Sequence, residues 1–143
     1  FNHTGPRQSP HFVVASFAKQ IAEIEKGKRK PILSVGNIEA KRDFTNVKDM
    51  VRAYSLAIEK GKIGEVYNIG SGVSYKISEI LSSLVSMSKV EIKMEKDHAL
   101  TRPSDNPELL CDPSKFVRLT GWKPEISIAT TLKDTLDYWR NII

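Results

Sequence analysis

A chain of 143 residues, 40% hydrophobic and 27% charged, can build one compact core and has the composition of an ordinary globular protein. Lys and Arg number 22 against 17 Asp and Glu, and the net charge of +5 favours anionic partners without choosing among nucleotides, nucleic acid and acidic lipid. The single cysteine, Cys111, excludes an intramolecular disulfide and points to a reducing cytoplasm, while no apolar run approaches the roughly 20 residues of a membrane span and no signal-peptide pattern opens the chain.

Strand and helix signals alternate from the start. Phe1-Asn2 reads as the end of a strand and Thr4-Gly5-Pro6 as the turn that stops it. A helix over 11–25 follows, with Val14, Phe17, Ala18, Ile21 and Ile24 on one face and Gly27 closing it. Residues 32–35 form a short strand ending at Gly36-Asn37. Residues 41–44 form the next strand, which runs into an amphipathic helix reaching Lys60; its apolar face would carry Val47, Met50, Val51, Tyr54 and Ala57. Residues 65–69 read as a strand, and Gly70-Ser71-Gly72 as the sharp turn after it.

A helix over 77–87 carries Ile77, Ile80, Leu81, Leu84 and Val85, and residues 90–94 alternate like a strand with one wet face. After a polar, proline-bearing loop over 101–107 come a small helix over 113–119, then Gly121-Trp122. The last helix, over 128–142, buries Leu132, Leu136, Trp139 and Ile143. The class is α/β, yet a complete doubly wound sheet needs more strands than these. The expectation is a partial α/β layer belonging to a larger protein, and a start at Phe1 in place of Met points the same way.

Several familiar chemistries are missing. Gly70-Ser71-Gly72 lacks the third glycine of a dinucleotide fingerprint, since Tyr75 stands there, so a tight turn is the better reading. The four tyrosines are followed four residues later by Ile58, Ser71, Glu79 and Ile142, so no Tyr-x-x-x-Lys pair exists. The histidines, His3, His11 and His98, have no metal-ligand spacing, and Cys111 has no histidine near it in sequence to act as its base. What the chain does offer is anion-binding side chains at element ends: Lys19, Arg42 and Arg102, the last stiffened by Pro103, with Asp105 placed either to hold it or to accept from a sugar hydroxyl. The alternatives are a solvated strand end and a surface ion pair. The basic run Lys26, Lys28, Arg29 and Lys30 has no interleaved aromatics and reads as a solvated turn, which weighs against nucleic acid.

The segment Phe1-Asn2-His3-Thr4-Gly5-Pro6-Arg7-Gln8 resembles the stretch that follows the catalytic helix in extended short-chain dehydrogenase/reductases. Residues 35–44, from Val35-Gly36-Asn37 to Arg42-Asp43-Phe44, are similar to the substrate half of GDP-mannose 4,6-dehydratases and GDP-4-keto-6-deoxy-mannose reductases. Residues 17–22, 64–72, 112–115 and 121–124 extend the likeness along the chain. His3-Thr4-Gly5-Pro6, Phe44 and the closing Leu136-Asp137-Tyr138-Trp139-Arg140 look more like the reductases.

The resemblance implies the last Rossmann strands plus a small mixed α/β substrate domain. The NADP-binding domain and the catalytic residues would lie in an N-terminal part outside this chain, leaving 1–143 one substrate-binding region without a catalytic residue. It further implies that Asn2 touches the hexose or diphosphate and that His3 and Arg7 lie near the cofactor. Lys19, Arg42 and Arg102 would face the nucleotide diphosphate, with Asn37 near the base and Asp105 near the ribose. The partner would be a nucleotide-diphosphate sugar, linked to GDP, with no nucleic acid or membrane, and the parent enzyme a homo-oligomer. Competing readings are a stand-alone nucleotide-sugar-binding module, a piece of a UDP- or dTDP-sugar epimerase or dehydratase, and a basic nucleic-acid-binding domain.

Overall fold

The computed structural model describes residues 1–100 and 106–143. Strand β1 (Asn2–Thr4) leads through a turn into helix α1 (Val13–Glu25). Strand β2 (Ile32–Val35), strand β3 (Lys41–Asn46) and helix α2 (Val47–Lys60) follow. Then come β4 (Ser74–Lys76), α3 (Ile77–Ser86), β5 (Lys93–Lys96) and β6 (Glu108–Leu109). Helices α4 (Ser114–Thr120) and α5 (Ile128–Ile142) end the chain.

β3 organises the larger sheet. Its C-terminal half pairs in parallel with β1, Asn2 opposite Phe44 and Thr4 opposite Asn46. Its N-terminal half pairs antiparallel with β4, Arg42 opposite Tyr75, and in parallel with β6, Arg42 opposite Leu109. A separate parallel pair joins β2 to β5, Ile32 opposite Lys93. The turn from β3 into α2 is held by Asn46: its Oδ1 accepts from the Lys48 N–H at 2.9 Å, and its amide donates to Thr131 Oγ1 at 2.9 Å, tying the helix start to α5.

Two cores result. In the first, α1, α3 and α5 pack together over β2 and β3, burying Phe17, Ile21, Leu33, Phe44, Leu81, Leu84 and Leu136. The apolar faces read for α1 and α5 from spacing lie here. The second core is smaller: Ala53 of α2, Phe116 of α4 and Trp122, with Tyr67 and Ile69 against them. The Trp122 indole donates to the Asp49 carbonyl at 3.2 Å. Asp49 itself is buried, its carboxylate accepting from Arg52 and from the Glu125 and Ile126 amides.

Several elements differ from the sequence reading, and β4 was not expected at all. First, α2 turns Met50 and Ala53 inward, because the small Ala53 lets Phe116 and Trp122 close on the helix; Val51, Tyr54 and Ile58 are left 57%, 51% and 86% exposed. Second, residues 65–69 form no strand. The segment lies against the second core through Tyr67 and Ile69, with Val66 O taken by Lys115 and Ile69 O by the Phe1 ammonium, and no described strand runs beside it to form a ladder. Third, the strand expected over 90–94 begins at Lys93: Ile92 packs on the core before pairing starts, and the strand proper is an exposed edge rich in Lys and Glu. β1 also runs through Thr4 rather than stopping before it.

Candidate functional site

Gly36 shapes the first cleft. A Cβ there would stand 2.3 Å from the Leu100 carbonyl oxygen, so only glycine lets the 98–100 turn close against the end of β2. The cleft encloses about 420 Å³. Asn2 reaches it from β1, His11 from the turn before α1, Ser16 and Phe17 from α1, Asn37 from the loop after β2 and Arg42 from β3.

Three residues singled out in sequence, Asn2, Asn37 and Arg42, therefore meet in one place although up to 40 positions apart. The Arg42 guanidinium donates to the Lys41 carbonyl at 2.6 Å and to Pro107 O at 3.5 Å, which lays it along the strand edge. Asn37 Oδ1 accepts from the Glu39 N–H at 3.0 Å, which fixes the loop. Among the described residues no aspartate or glutamate lines the cleft.

Asn2 also lines a second, more apolar cleft of about 700 Å³ with His3, Arg7, Phe12, Phe44 and Val47. Arg7 has φ 71°, the one left-handed non-glycine among the described residues. Gln8 supports that conformation: its side chain donates to His3 O and accepts from Thr4 Oγ1, both at 2.8 Å. A non-glycine residue kept in this region costs of order 1–2 kcal/mol, so the turn is over-determined by its neighbours. His3 and Arg7, the two residues tied by resemblance to a cofactor, thus share a wall.

Lys19 lies elsewhere. On α1 its ammonium pairs with Glu23 at 3.6 Å and sits 5.8 Å from the Trp139 ring centre, and it lines neither cleft. Arg102 and Asp105 fall outside the described residues.

Behind Arg42 is a feature the sequence reading passed over. Asp43 is 1% exposed, and its carboxylate gathers the next turn. Oδ1 accepts from Ser71 N at 2.9 Å and Ser71 Oγ at 2.6 Å; Oδ2 accepts from Gly72 N at 2.8 Å and Cys111 N at 3.2 Å. Gly70 makes that approach feasible, since a Cβ there would stand 2.4 Å from Cys111 Cβ. The Gly70-Ser71-Gly72 turn could resemble a phosphate cradle in sequence, but its amides are spent on a carboxylate. An aspartate at an inward position of a strand was the available signal.

Cys111 is buried beside this carboxylate, and burial first, then the Asp43 charge, pushes its thiol up to about 11. That is the opposite of what a nucleophile needs. Among the described residues no cluster of three or more His, Cys, Asp or Glu could hold a metal ion, and no helix is long and apolar enough to cross a membrane.

Residues 1–135 match the family described as GDP-mannose 4,6 dehydratase, and the chain belongs to it. The GDP-6-deoxy-D-mannose reductase of Pseudomonas aeruginosa is 38% identical over 141 residues, covering 99% of this chain and 46% of the reductase. GDP-mannose 4,6 dehydratase 1 of Arabidopsis thaliana is 29% identical, covering 96% of this chain and 38% of that protein. The structure of RMD from Pseudomonas aeruginosa complexed with NADPH superposes with a TM-score of 0.93 at 36% identity over 100% of this chain and 47% of that one. UDP-glucuronic acid 4-epimerase from Bacillus cereus in complex with NAD gives 0.80 at 28% identity, over 100% of this chain and 42% of that one. The chain spans under half the length of these relatives, and its fold is part of an extended short-chain dehydrogenase/reductase.

Proposed function

We propose that this chain is the nucleotide-sugar-binding half of an NAD(P)-dependent enzyme acting on a GDP-linked sugar, a GDP-4-keto-6-deoxy-mannose reductase in preference to a dehydratase. The observation that carries the reading is the convergence of Asn2, Asn37 and Arg42 on one cleft. A nucleotide diphosphate needs a cation for its phosphates and carboxamide groups for hydroxyls or a base. The 38% identity to a reductase, against 29% to a dehydratase, supports the reductase preference.

NADP would be held mainly by a nucleotide-binding domain outside this chain. Its hydride chemistry would reach the sugar where the two clefts meet at Asn2, with His3 and Arg7 along the cofactor's edge. The apolar lining of the second cleft fits a flat ring, and the left-handed Arg7 places a cation at its rim. The exposed apolar side chains of α2 would pack against that domain.

Calorimetric titration with GDP, and with UDP as control, tests the reading. Selective GDP binding is the expected result. Equal binding of both would reduce the assignment to a generic nucleotide-sugar protein, and binding of neither would remove the cleft as a self-sufficient nucleotide site.

A further inference from the structure

We infer that Gln8 is a positioning residue that holds Arg7 in a backbone conformation suited to glycine, and that Arg7 thereby meets the phosphate beside the nicotinamide ring of a cofactor in the second cleft. The inference rests on the cofactor reading of that cleft. Residues 5–8 form a β-turn, closed by the Gln8 N–H on the Gly5 carbonyl at 3.3 Å. Pro6 holds its second position and Arg7, with φ 71°, its third. A positive φ at the third position is the mark of a type II turn, where glycine or asparagine belongs.

Proline at the second position suits a type I turn equally well, and an arginine after it favours type I, where φ is negative. Closure of the turn does not decide between them, since both types share the bond from the fourth residue to the first. The Gln8 side chain does decide. It donates to His3 O and accepts from Thr4 Oγ1, both at 2.8 Å, and Thr4 is buried, so the clasp is anchored in packed structure at the end of β1.

Keeping a residue with a side chain left-handed costs about five- to thirtyfold in the folding equilibrium, which glycine would avoid. Arg7 is exposed, so its side chain adds nothing to the core, and the cleft it lines is where it can act. The same walls carry Phe1, Phe12, Phe44 and Val47. Aromatic and aliphatic walls suit a flat ring, and a guanidinium among them suits the phosphate attached to it.

The test compares two probes that differ by that phosphate alone, reduced nicotinamide mononucleotide and its reduced riboside. Their binding is measured by NMR titration of the wild-type chain, Arg7→Gly, Arg7→Ala and Gln8→Met, and urea unfolding is followed for each. The wild type is expected to bind the mononucleotide about tenfold tighter than the riboside, the size of one charge-assisted hydrogen bond. Both Arg7 variants should lose that preference, and Arg7→Gly alone should raise the urea midpoint, because only glycine relieves the backbone. Gln8→Met fills the same space without either hydrogen bond; it should lose most of the preference although Arg7 is still present, with riboside affinity within about twofold of wild type. A wild type that binds both probes equally, a Gln8→Met variant that keeps the preference, or an Arg7→Gly variant no more stable than Arg7→Ala would overturn the inference and leave the cofactor reading standing. Binding of neither probe by the wild type would overturn the inference together with that reading.

Discussion

Replacing Asp43 by Ala should unfold this chain more readily than any change in the clefts. Four donors converge on the carboxylate: Ser71 N and Oγ, Gly72 N and Cys111 N, at 2.6 to 3.2 Å. At about 1.5–3 kcal/mol for each hydrogen bond to a charged group, simple addition would reach about 6–12 kcal/mol. That sum is too large, because Ser71 and Gly72 lie near the surface and their groups regain water when the carboxylate goes. The Cys111 N–H sits in a buried residue and cannot, which alone costs about 1–3 kcal/mol. Relief of the desolvated charge offsets part of the rest, leaving about 2–5 kcal/mol, a large share of the 5–15 kcal/mol that holds a typical domain together. Asp43→Asn keeps one acceptor but turns an NH2 toward donors, so about half the loss is expected. Urea unfolding followed by Trp122 and Trp139 fluorescence measures both. Cys111 should also react faster with a thiol reagent in the Ala variant, having lost both the tether on its amide and the anion that raises its thiol. A midpoint shift worth under about 1 kcal/mol for Asp43→Ala would refute the view that this carboxylate organises the turn.

Arg42→Ala should weaken GDP binding by about 1.5–3 kcal/mol; unaltered affinity would take Arg42 out of the site. Arg140 binds Glu25 through Nε at 2.8 Å and Nη2 at 2.7 Å, and that hydrogen bonding chiefly holds the Glu25 carboxyl below its ordinary value. A depressed carboxyl contributes stability above its unfolded pKa and loses it as pH falls through the folded one, so the wild type should weaken on acidification below about pH 4.5 more steeply than Glu25→Gln. Equal slopes by urea titration at a series of pH values would contradict this. The isolated chain, finally, should bind an apolar dye and self-associate through the α2 surface; a clean monomer by light scattering with no dye response would count against that surface as a packing face.

Much of the first core was readable because a single periodicity governs it: α1 and α5 each bury one stripe, and Phe17, Ile21, Leu132 and Leu136 fall where a 3.6-residue repeat puts them. The convergence of Asn2, Asn37 and Arg42 was not readable from spacing. It depends on β1 and β3 pairing in parallel across a separation no local pattern encodes, and the resemblance alone grouped them. Asp43 was missed for a related reason. Its partners, Ser71, Gly72 and Cys111, lie 28 to 68 positions away, so beside Arg42 it looked like one more strand-edge charge.

The misread face of α2 and the unrealised strand over 65–69 have one physical origin. Val51, Tyr54 and Ile58 follow helical spacing, and Val66 continues the apolar content beyond the helix, yet all four are exposed at half or more of their surface. The helix meets Phe116 and Trp122 through Ala53, on a different side, so its apolar surface exceeds what the second core uses. A strand pattern needs a hydrogen-bonded neighbour and a helical stripe needs a floor; over 51–69 both patterns are written and neither requirement is met among the described residues. Val47 continues the same stripe into the 700 Å³ cleft beside His3 and Arg7. One surface that occupied the stripe and supplied a strand partner to 65–69 would therefore also wall that cleft, so covering α2 and completing the cleft are expected to be a single event.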